Sequence, residues 1–156
     1  MNWDILDFAV FGAMLLGVGV VYALAKRRAN NTKYRFAIGV ALAAAFLLVW
    51  VNGAVGIIGD ENNDANMMFF GVLLVGVVGA VIARLQPKGM ARAMYATAIA
   101  QVTVAVIALA TNLGTAGASW PWDVLVLTGI FTSLWIVSAK LFRKAARHPL
   151  SDPQFK

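Results

Sequence analysis

The chain has no cysteine, a single histidine and few charged residues for its length. The absence of cysteine excludes disulfides, thiolate metal sites, iron–sulfur clusters and thiol nucleophiles together. Charged side chains make up 13% of the residues, whereas a soluble domain carries roughly 25%. That supply is too small for a water-facing surface, so the composition predicts a membrane protein.

The apolar part of the sequence also lacks ionisable side chains, because no Asp, Glu, Lys, Arg or His lies in the interior of any long apolar run, and the only acid within one is Asp123 at the edge of the last. Proton relays, voltage sensors and ion-coupled carriers generally depend on such residues. The only histidine, His148, follows the last run, which excludes haem ligation by histidine within the membrane. No P-loop, histidine-rich metal motif or Ser/His/Asp set is present. We therefore predict no catalytic residue, no metal site and no cofactor, and we do not expect an enzyme.

What the sequence does contain is five apolar runs, each close to the roughly 20 residues that cross about 30 Å of hydrocarbon as a helix. We place these spans at 8–25, 36–58, 67–83, 93–111 and 122–139. The segments between them are rich in Gly, Pro, Asn or charge, as connections should be. The sequence therefore predicts a single all-α transmembrane domain over 1–156, built as a bundle of five helices.

The charged residues predict the orientation of this bundle. All basic residues lie at 26–35, 84–92 and 140–156, and every acid except Asp152 lies in the alternate segments. Because basic connections stay in the cytoplasm, we predict an outside N-terminus and a basic cytoplasmic tail over 140–156. The net charge of +6 thus indicates topology and attraction to anionic lipid headgroups, and we expect no nucleic-acid partner.

Three amide side chains are candidates for a ligand-binding site: Asn52, Gln101 and Asn112. Asn52 and Gln101 fall inside the apolar layer, and Asn112 lies near the outer end of the fourth span. A buried amide in lipid must find partners. One interpretation is a hydrogen bond that clamps two helices, and the other is a bound lipid or quinone headgroup.

The predicted outer connection at 59–66 is the most polar segment and carries three acids, Asp60, Glu61 and Asp64. Oxygen-bearing side chains at positions 60, 62 and 64 follow the spacing that opens a calcium loop. Such a loop needs glycine at its sixth position, where this chain has Ala65, and it lacks the glutamate at the twelfth. We favour capping of the third span by Asp64 or Asn66, with partner docking and cation binding as alternatives.

Small residues four apart recur in the first four spans, and they predict close helix packing. These pairs are Ala13/Gly17, Gly39/Ala43, Gly76/Ala80, Gly79/Ala83 and Ala96/Ala100. The pairs serve either packing within the chain or a seam between copies of it.

Four segments carry a resemblance to known proteins: Asp7–Gly12, Tyr22–Arg28, Trp50–Gly59 and Ala83–Ala93. With these segments the chain resembles a group of small, uncharacterised multi-pass membrane proteins of bacteria. The resemblance covers most of the chain and implies a bacterial inner-membrane location. It implies no activity, cofactor or catalytic residue.

The sequence leaves two hypotheses about function. The first is a non-enzymatic accessory or scaffold subunit that acts through contacts with a protein partner or with further copies of itself. The alternative is a lipid- or quinone-binding protein, or an oligomeric channel, that uses the amides near Asn52 and Gln101.

Overall fold

The computed structural model describes residues 4–28, 32–54, 57–58, 64–115 and 120–147. The helices are α1 (Ile5–Arg28), α2 (Thr32–Ala54), α3 (Met68–Ala83, preceded by a 3-10 turn at Asp64–Met67), α4 (Pro87–Ala110) and α5 (Trp122–Arg147). No strand occurs within those ranges. Each of the five, α3 together with its 3-10 turn, is long and apolar enough to span a membrane. The predicted all-α bundle is confirmed, and the chain has the architecture of a multi-pass membrane protein.

The helices extend beyond the apolar runs where polar groups satisfy their ends. The amide of Asp7 donates to the Asp4 carboxylate at 2.9 Å, and the amide of Asp4 donates to the Asp7 carboxylate at 3.1 Å. This reciprocal arrangement is a capping box, and it starts α1 at Ile5, three residues before the predicted span. At α4, Pro87 occupies the first turn, where its missing N–H costs nothing, so this helix also begins early.

The centre of the bundle is α4. It packs against α3 on one side and α5 on the other, α2 packs against α5, and α1 packs mainly against α2. The buried share of the apolar window is 44% in α4 and 0% in α1. Helices α2 to α5 therefore form the packed body, and α1 is attached at its edge.

The contact between α3 and α4 is closer than ordinary side chains permit. A Cβ added at Gly79 would lie 2.7 Å from the Cβ of Ala93, and one at Gly89 would lie 2.6 Å from the Cβ of Ala83. About one turn before Gly79 on α3, a Cβ at Gly76 would lie 3.2 Å from the hydroxyl oxygen of Thr97. Small residues let two backbones approach and gain dispersion contacts. The predicted use of the α3 glycines for packing within the chain is confirmed.

The pairs of small residues in α1 and α2, Ala13/Gly17 and Gly39/Ala43, are not in close contact with another helix. A Cβ at Gly17 or at Gly39 would meet no atom within 4 Å, and Ala13 and Ala43 are exposed. Among the described residues these pairs do not pack tightly against another helix, so packing within the protomer does not account for them.

The turn between α3 and α4 is fixed by a residue from α2. Arg84 and Leu85 both adopt left-handed conformations, with φ of 53° and 61°. The hydroxyl of Tyr34 donates to the carbonyl oxygen of Leu85 at 2.7 Å, and its ring meets the edge of Phe142 on α5 at a centroid distance of 5.3 Å. These contacts bring the start of α2, the α3–α4 turn and the end of α5 together at one end of the bundle. We call this the basic end, after the basic residues of those segments.

A second hydrogen bond near the basic end joins α5 to α2. The hydroxyl of Ser138 donates to the carbonyl oxygen of Ala37 at 2.7 Å, and both residues are fully buried. Because that carbonyl also belongs to the α2 helix, the bond fixes the register of α5 against α2.

We expect Gly79→Ala to lower the free energy of unfolding by about 1–3 kcal/mol, the usual cost of overpacking a close contact. The new methyl group would collide with Ala93, including its Cα at 3.2 Å. Thermal unfolding in detergent, followed by far-UV circular dichroism, measures the effect.

The matched control is Gly71→Ala, on the same helix, where an added Cβ meets nothing within 4 Å. Both changes add the same methyl group to a helix, so their difference isolates the collision. Equal melting temperatures for the two variants would contradict a tight α3–α4 seam.

Candidate functional site

Two asparagines at the end of the bundle opposite the basic end form a buried network. The Nδ2 of Asn52 donates to the carbonyl oxygen of Asn66 at 2.9 Å. The Oδ1 of Asn66 accepts from the backbone amides of Ile57 and Ile58 at 3.0 and 2.7 Å, and its Nδ2 donates to the carbonyl oxygen of Ile58 at 3.3 Å. We call these four residues the asparagine clamp. Asn52 thus makes the inter-element hydrogen bond that the sequence predicts for a buried amide.

The asparagine clamp also explains where α2 ends. In a continuing helix the amides of Ile57 and Ile58 would donate to carbonyls four residues earlier, but here both donate to Asn66. The helix stops at Ala54, and Ile57 and Ile58 are fully buried. The prediction that the second helix runs to residue 58 is therefore wrong, because a side chain from the next element replaces the helical acceptors.

The predicted capping of the third span is also wrong. The N-cap position of α3 is Met67, without a side-chain cap hydrogen bond. The side-chain oxygen of Asn66 instead accepts hydrogen bonds from the backbone amides of Ile57 and Ile58. Asp64 is exposed at the start of the 3-10 turn. Asp60 and Glu61 lie outside the described residues, so cation binding and partner docking at the acidic connection stay predictions.

Gln101 lies in the middle of α4 and is fully buried. Its Oε1 accepts a hydrogen bond from the indole nitrogen of Trp135 on α5 at 3.2 Å. Within the described part of the chain its Nε2 is buried without a hydrogen-bond partner. An unpaired buried donor costs about 1–3 kcal/mol. Gln101 therefore links α4 to α5 through its oxygen, while its nitrogen remains without an acceptor in the described structure.

Two hydroxyls on α5 share this property. The Oγ1 atoms of Thr128 and Thr132 are buried and, among the described residues, have no hydrogen-bond partner. Thr132 precedes Trp135 by less than one turn of α5, and Thr128 precedes Thr132 by about one turn. By contrast, the threonines of α4 donate to carbonyls of their own helix, Thr97 to Ala93 at 2.8 Å and Thr103 to Ile99 at 2.7 Å.

Asn112 has a conformational role at the end of α4. It has a φ of 53°, and the amide of Leu113 donates to the carbonyl oxygen of Ala108 at 3.0 Å. A left-handed residue followed by this bond is a Schellman ending, where asparagine substitutes for glycine. Its exposed side chain is not part of a buried amide site.

The three predicted amides therefore do not converge. Asn52 is bonded to Asn66, Gln101 is bonded to Trp135, and Asn112 is exposed beyond the end of α4. The α3–α4 contacts place Gln101 about level with Val72, roughly 9 Å along the helix axis from Asn66. The sequence correctly predicted that Asn52 and Gln101 are buried, because both lie in apolar runs. It could not show that the two amides have different partners.

Three apolar voids of the bundle are lined in part by α1. A groove of about 540 Å³, here named the α1–α2 groove, is lined by residues that include Gly19 and Tyr22 of α1 and Gly39, Ala43 and Phe46 of α2. A second void of about 420 Å³ separates α1 from α3, and a smaller one of about 150 Å³ lies between α2, α3 and α4. None of the three is lined by Asn52 or Gln101.

No group of three or more histidine or acidic side chains suited to a metal ion occurs in the described ranges, and His148 lies outside them. Comparison of the chain with protein-family models, curated proteins and solved structures gives no significant match. The site residues therefore have to be interpreted from their own geometry.

We expect Asn66→Ala to lower the melting temperature more than Asn52→Leu does. The first change leaves two buried amides, those of Ile57 and Ile58, without their acceptor, at about 1–3 kcal/mol each. The second removes one hydrogen bond. Thermal unfolding in detergent ranks the variants.

Asn112→Gly is the control, because glycine keeps the left-handed conformation without strain and the side chain is exposed. We expect it to melt like the unmodified protein. If Asn66→Ala is no less stable than Asn112→Gly, the asparagine clamp does not hold this end of the bundle.

Proposed function

We propose that this protein is a non-enzymatic accessory or scaffold subunit of a bacterial inner membrane, oriented N-out and C-in, which binds a partner helix through α1. The observation that carries the proposal is the state of α1. No residue of its apolar window is buried, yet it presents glycine and alanine on a face that no other helix in the described part of the chain covers.

The flank of α1 that contains Ala13 and Gly17 is the proposed contact. These residues lie one turn apart, Ala13 is exposed, and a Cβ at Gly17 would meet nothing within 4 Å. Small residues at this spacing are enriched where two transmembrane helices meet, because they let the backbones approach. Against lipid alone they bring no such gain. A partner helix therefore accounts for their place on an otherwise uncovered face.

The orientation follows from the charges at the basic end. The contacts of Tyr34 with Leu85 and Phe142 bring three basic segments of the chain to the same end of the bundle. All 13 Lys and Arg residues belong to the segments that end or begin there. The positive-inside rule supports a cytoplasmic location for this end.

We expect the unmodified protein, purified in a gentle detergent, to carry a stoichiometric partner or a second copy of itself, and Gly17→Leu to lose it. The leucine side chain would separate the two helix backbones at the contact. Native mass spectrometry of the purified complex, with proteomic identification of the partner, measures both results.

Gly71→Leu on α3 is the control for this experiment, because its position also has open space around it but no small residue four positions away. It should retain the partner. A protein that purifies as a monomer without any partner, in every gentle detergent tried, would contradict the scaffold proposal.

A second candidate function, a site for a small polar ligand, rests on the unpaired Nε2 of Gln101. Gln101 is fully buried, and its Nε2 has no hydrogen-bond acceptor within the described residues. The buried hydroxyls of Thr128 and Thr132 lie on the same neighbouring helix as Trp135. A carbonyl oxygen of a quinone headgroup is an acceptor of the required chemistry.

If the second candidate function is correct, we expect solvent extracts of the purified protein to contain one quinone per chain, and we expect Gln101→Leu to remove it. Thr103→Val is the control, because Thr103 is exposed on the same helix and bonds its own backbone. Mass spectrometry of the extracts distinguishes the cases, and an unmodified protein that retains no quinone rejects the candidate.

A further inference from the structure

The hydroxyls of Thr128 and Thr132 on α5 differ from three other hydroxyls within the helices. Thr97, Thr103 and Ser133 each donate to the carbonyl oxygen four residues earlier in their own helix, at 2.8, 2.7 and 2.7 Å. This bond is the local way for a helical hydroxyl to be satisfied. The hydroxyl oxygens of Thr128 and Thr132 are buried but do not make it, and they have no other hydrogen-bond partner among the described residues. Both are therefore left available to a partner from outside their helix.

The two hydroxyls lie on the side of α5 that faces α4. Trp135 marks this side, because its indole nitrogen donates to Gln101 of α4. At about 100° per residue, Thr128 lies about 20° and Thr132 about 60° from the direction of Trp135 around the helix. The Nε2 of Gln101 is a third buried polar group without a partner in the described part of the chain. We call Gln101, Thr132 and Thr128 the polar seam.

The side chains of α4 opposite the two hydroxyls are small. The start of α4 and the end of α5 both lie at the basic end, so the two helices run antiparallel. Counting from the indole hydrogen bond towards the opposite end places Ala105 about level with Thr132, and Ala108 about level with Thr128. Both alanines are buried. Each hydroxyl therefore lies across from a methyl group, which leaves more room for a small molecule than a longer side chain would.

Water has the chemistry that these three groups require. A polar group inside a bilayer must find a partner, and a buried water makes about three hydrogen bonds to groups that are otherwise unsatisfied. Thr128 and Trp135 are seven residues apart, or about 10 Å along α5, whereas hydrogen-bonded oxygens are about 2.8 Å apart. One small ligand group cannot reach all three members of the polar seam, but two or three waters in a row can.

The polar seam has an accessible end and a closed end. Thr128 lies six residues after the start of α5, which is about 9 Å from the end of the helix opposite the basic end. At that same end, Thr111 of α4 is exposed. Towards the basic end, the next turn of α4 carries Thr97, whose hydroxyl is bonded to its own helix, and the void that Thr97 lines is apolar. An apolar cavity of this kind stays dry, so the seam stops at Gln101.

We propose that the polar seam binds a short file of water molecules, which enters between α4 and α5 from the end opposite the basic end and stops at Gln101. The file satisfies the two hydroxyls and the amide nitrogen. It makes one half of the α4–α5 interface hydrated and leaves the other half dry, with the Trp135 indole at the boundary.

The water file does not depend on either function proposed above. The partner contact lies on α1, which contributes no residue to the polar seam. A quinone at Gln101 is also compatible with it, because the amide nitrogen carries two N–H donors. The file depends on the hydroxyls of Thr128 and Thr132, so variants at these positions test it separately.

The test is hydroxyl-radical labelling of the full chain in lipid nanodiscs by a short X-ray pulse, read by mass spectrometry. The pulse forms radicals from bound water in place, so a buried side chain beside ordered water is oxidised, whereas an equally buried dry one is not. Trp135 is 2% exposed and Phe142, near the basic end of the same helix, is 0% exposed. After correction for the reactivity of each residue type, we expect Trp135 to be labelled at least fivefold faster than Phe142.

The double variant Thr128→Val with Thr132→Val removes both hydroxyls and nearly preserves the side-chain shape, so it should fold. We expect it to lower the labelling of Trp135 at least threefold. Thr128→Ser keeps the hydroxyl and should keep the labelling. Thr103→Val is the matched control on α4, because Thr103 is exposed and bonded to its own backbone, and it should leave Trp135 labelled as in the unmodified protein.

Thermal unfolding gives a second, independent result through its sign. If the hydroxyl of Thr128 binds water, Thr128→Val loses that bond and melts at a lower temperature than Thr103→Val. If the hydroxyl is dry and unpaired, the same change removes a buried unsatisfied group and raises the melting temperature. A raised melting temperature, a Trp135 as protected as Phe142, or labelling that is unchanged in the folded double variant would overturn the proposal.

Discussion

A polar backbone group inside a bilayer has no water to bind, so it must be paired within the protein. Helices meet this requirement along their length but not where the chain turns. In this protein a side chain from another element supplies the missing partner at both ends of the body. Asn66 accepts from the amides of Ile57 and Ile58, and Tyr34 donates to the carbonyl of Leu85. The fold depends on these two polar contacts because they let the connections be short.

Between the ends, packing divides the bundle into a tight part and a loose part. Helices in lipid gain little from apolar burial, so they associate where backbones approach closely or polar groups meet. Gly79 and Gly89 give α3 and α4 such an approach, and Ser138 and Trp135 tie α5 to α2 and α4. For α1 the contacts with α2 include edge-on aromatic rings towards one end, and no residue of its apolar window is buried. The loosely attached helix is therefore the part of the structure with surface left for other molecules.

The number and approximate position of the helices could be predicted from the sequence because each span is a continuous apolar run, whose length alone identifies it. The contacts that finish the fold could not, because they join distant positions. Gln101 and Trp135 are 34 residues apart, and Tyr34 and Leu85 are 51 apart. The roles of Asn66 and Asn112 depend on which way the chain turns after a helix. Amide side chains in apolar runs are easy to find in a sequence, but their partners follow only from helix register.

The basic residues of this chain occur in three segments, and charge by itself would make each segment equally attractive to anionic lipid. Packing separates them. Beneath Arg84 and Lys88, α3 and α4 are in contact through Gly79 and Gly89, so no acyl chain fits between those two helices. Between α1 and α2, at a similar distance from the basic end, lies an open apolar groove. Charge therefore predicts the orientation of the protein, whereas small residues decide which neighbouring helices leave space between them, and in the described structure α1 and α2 are such a pair.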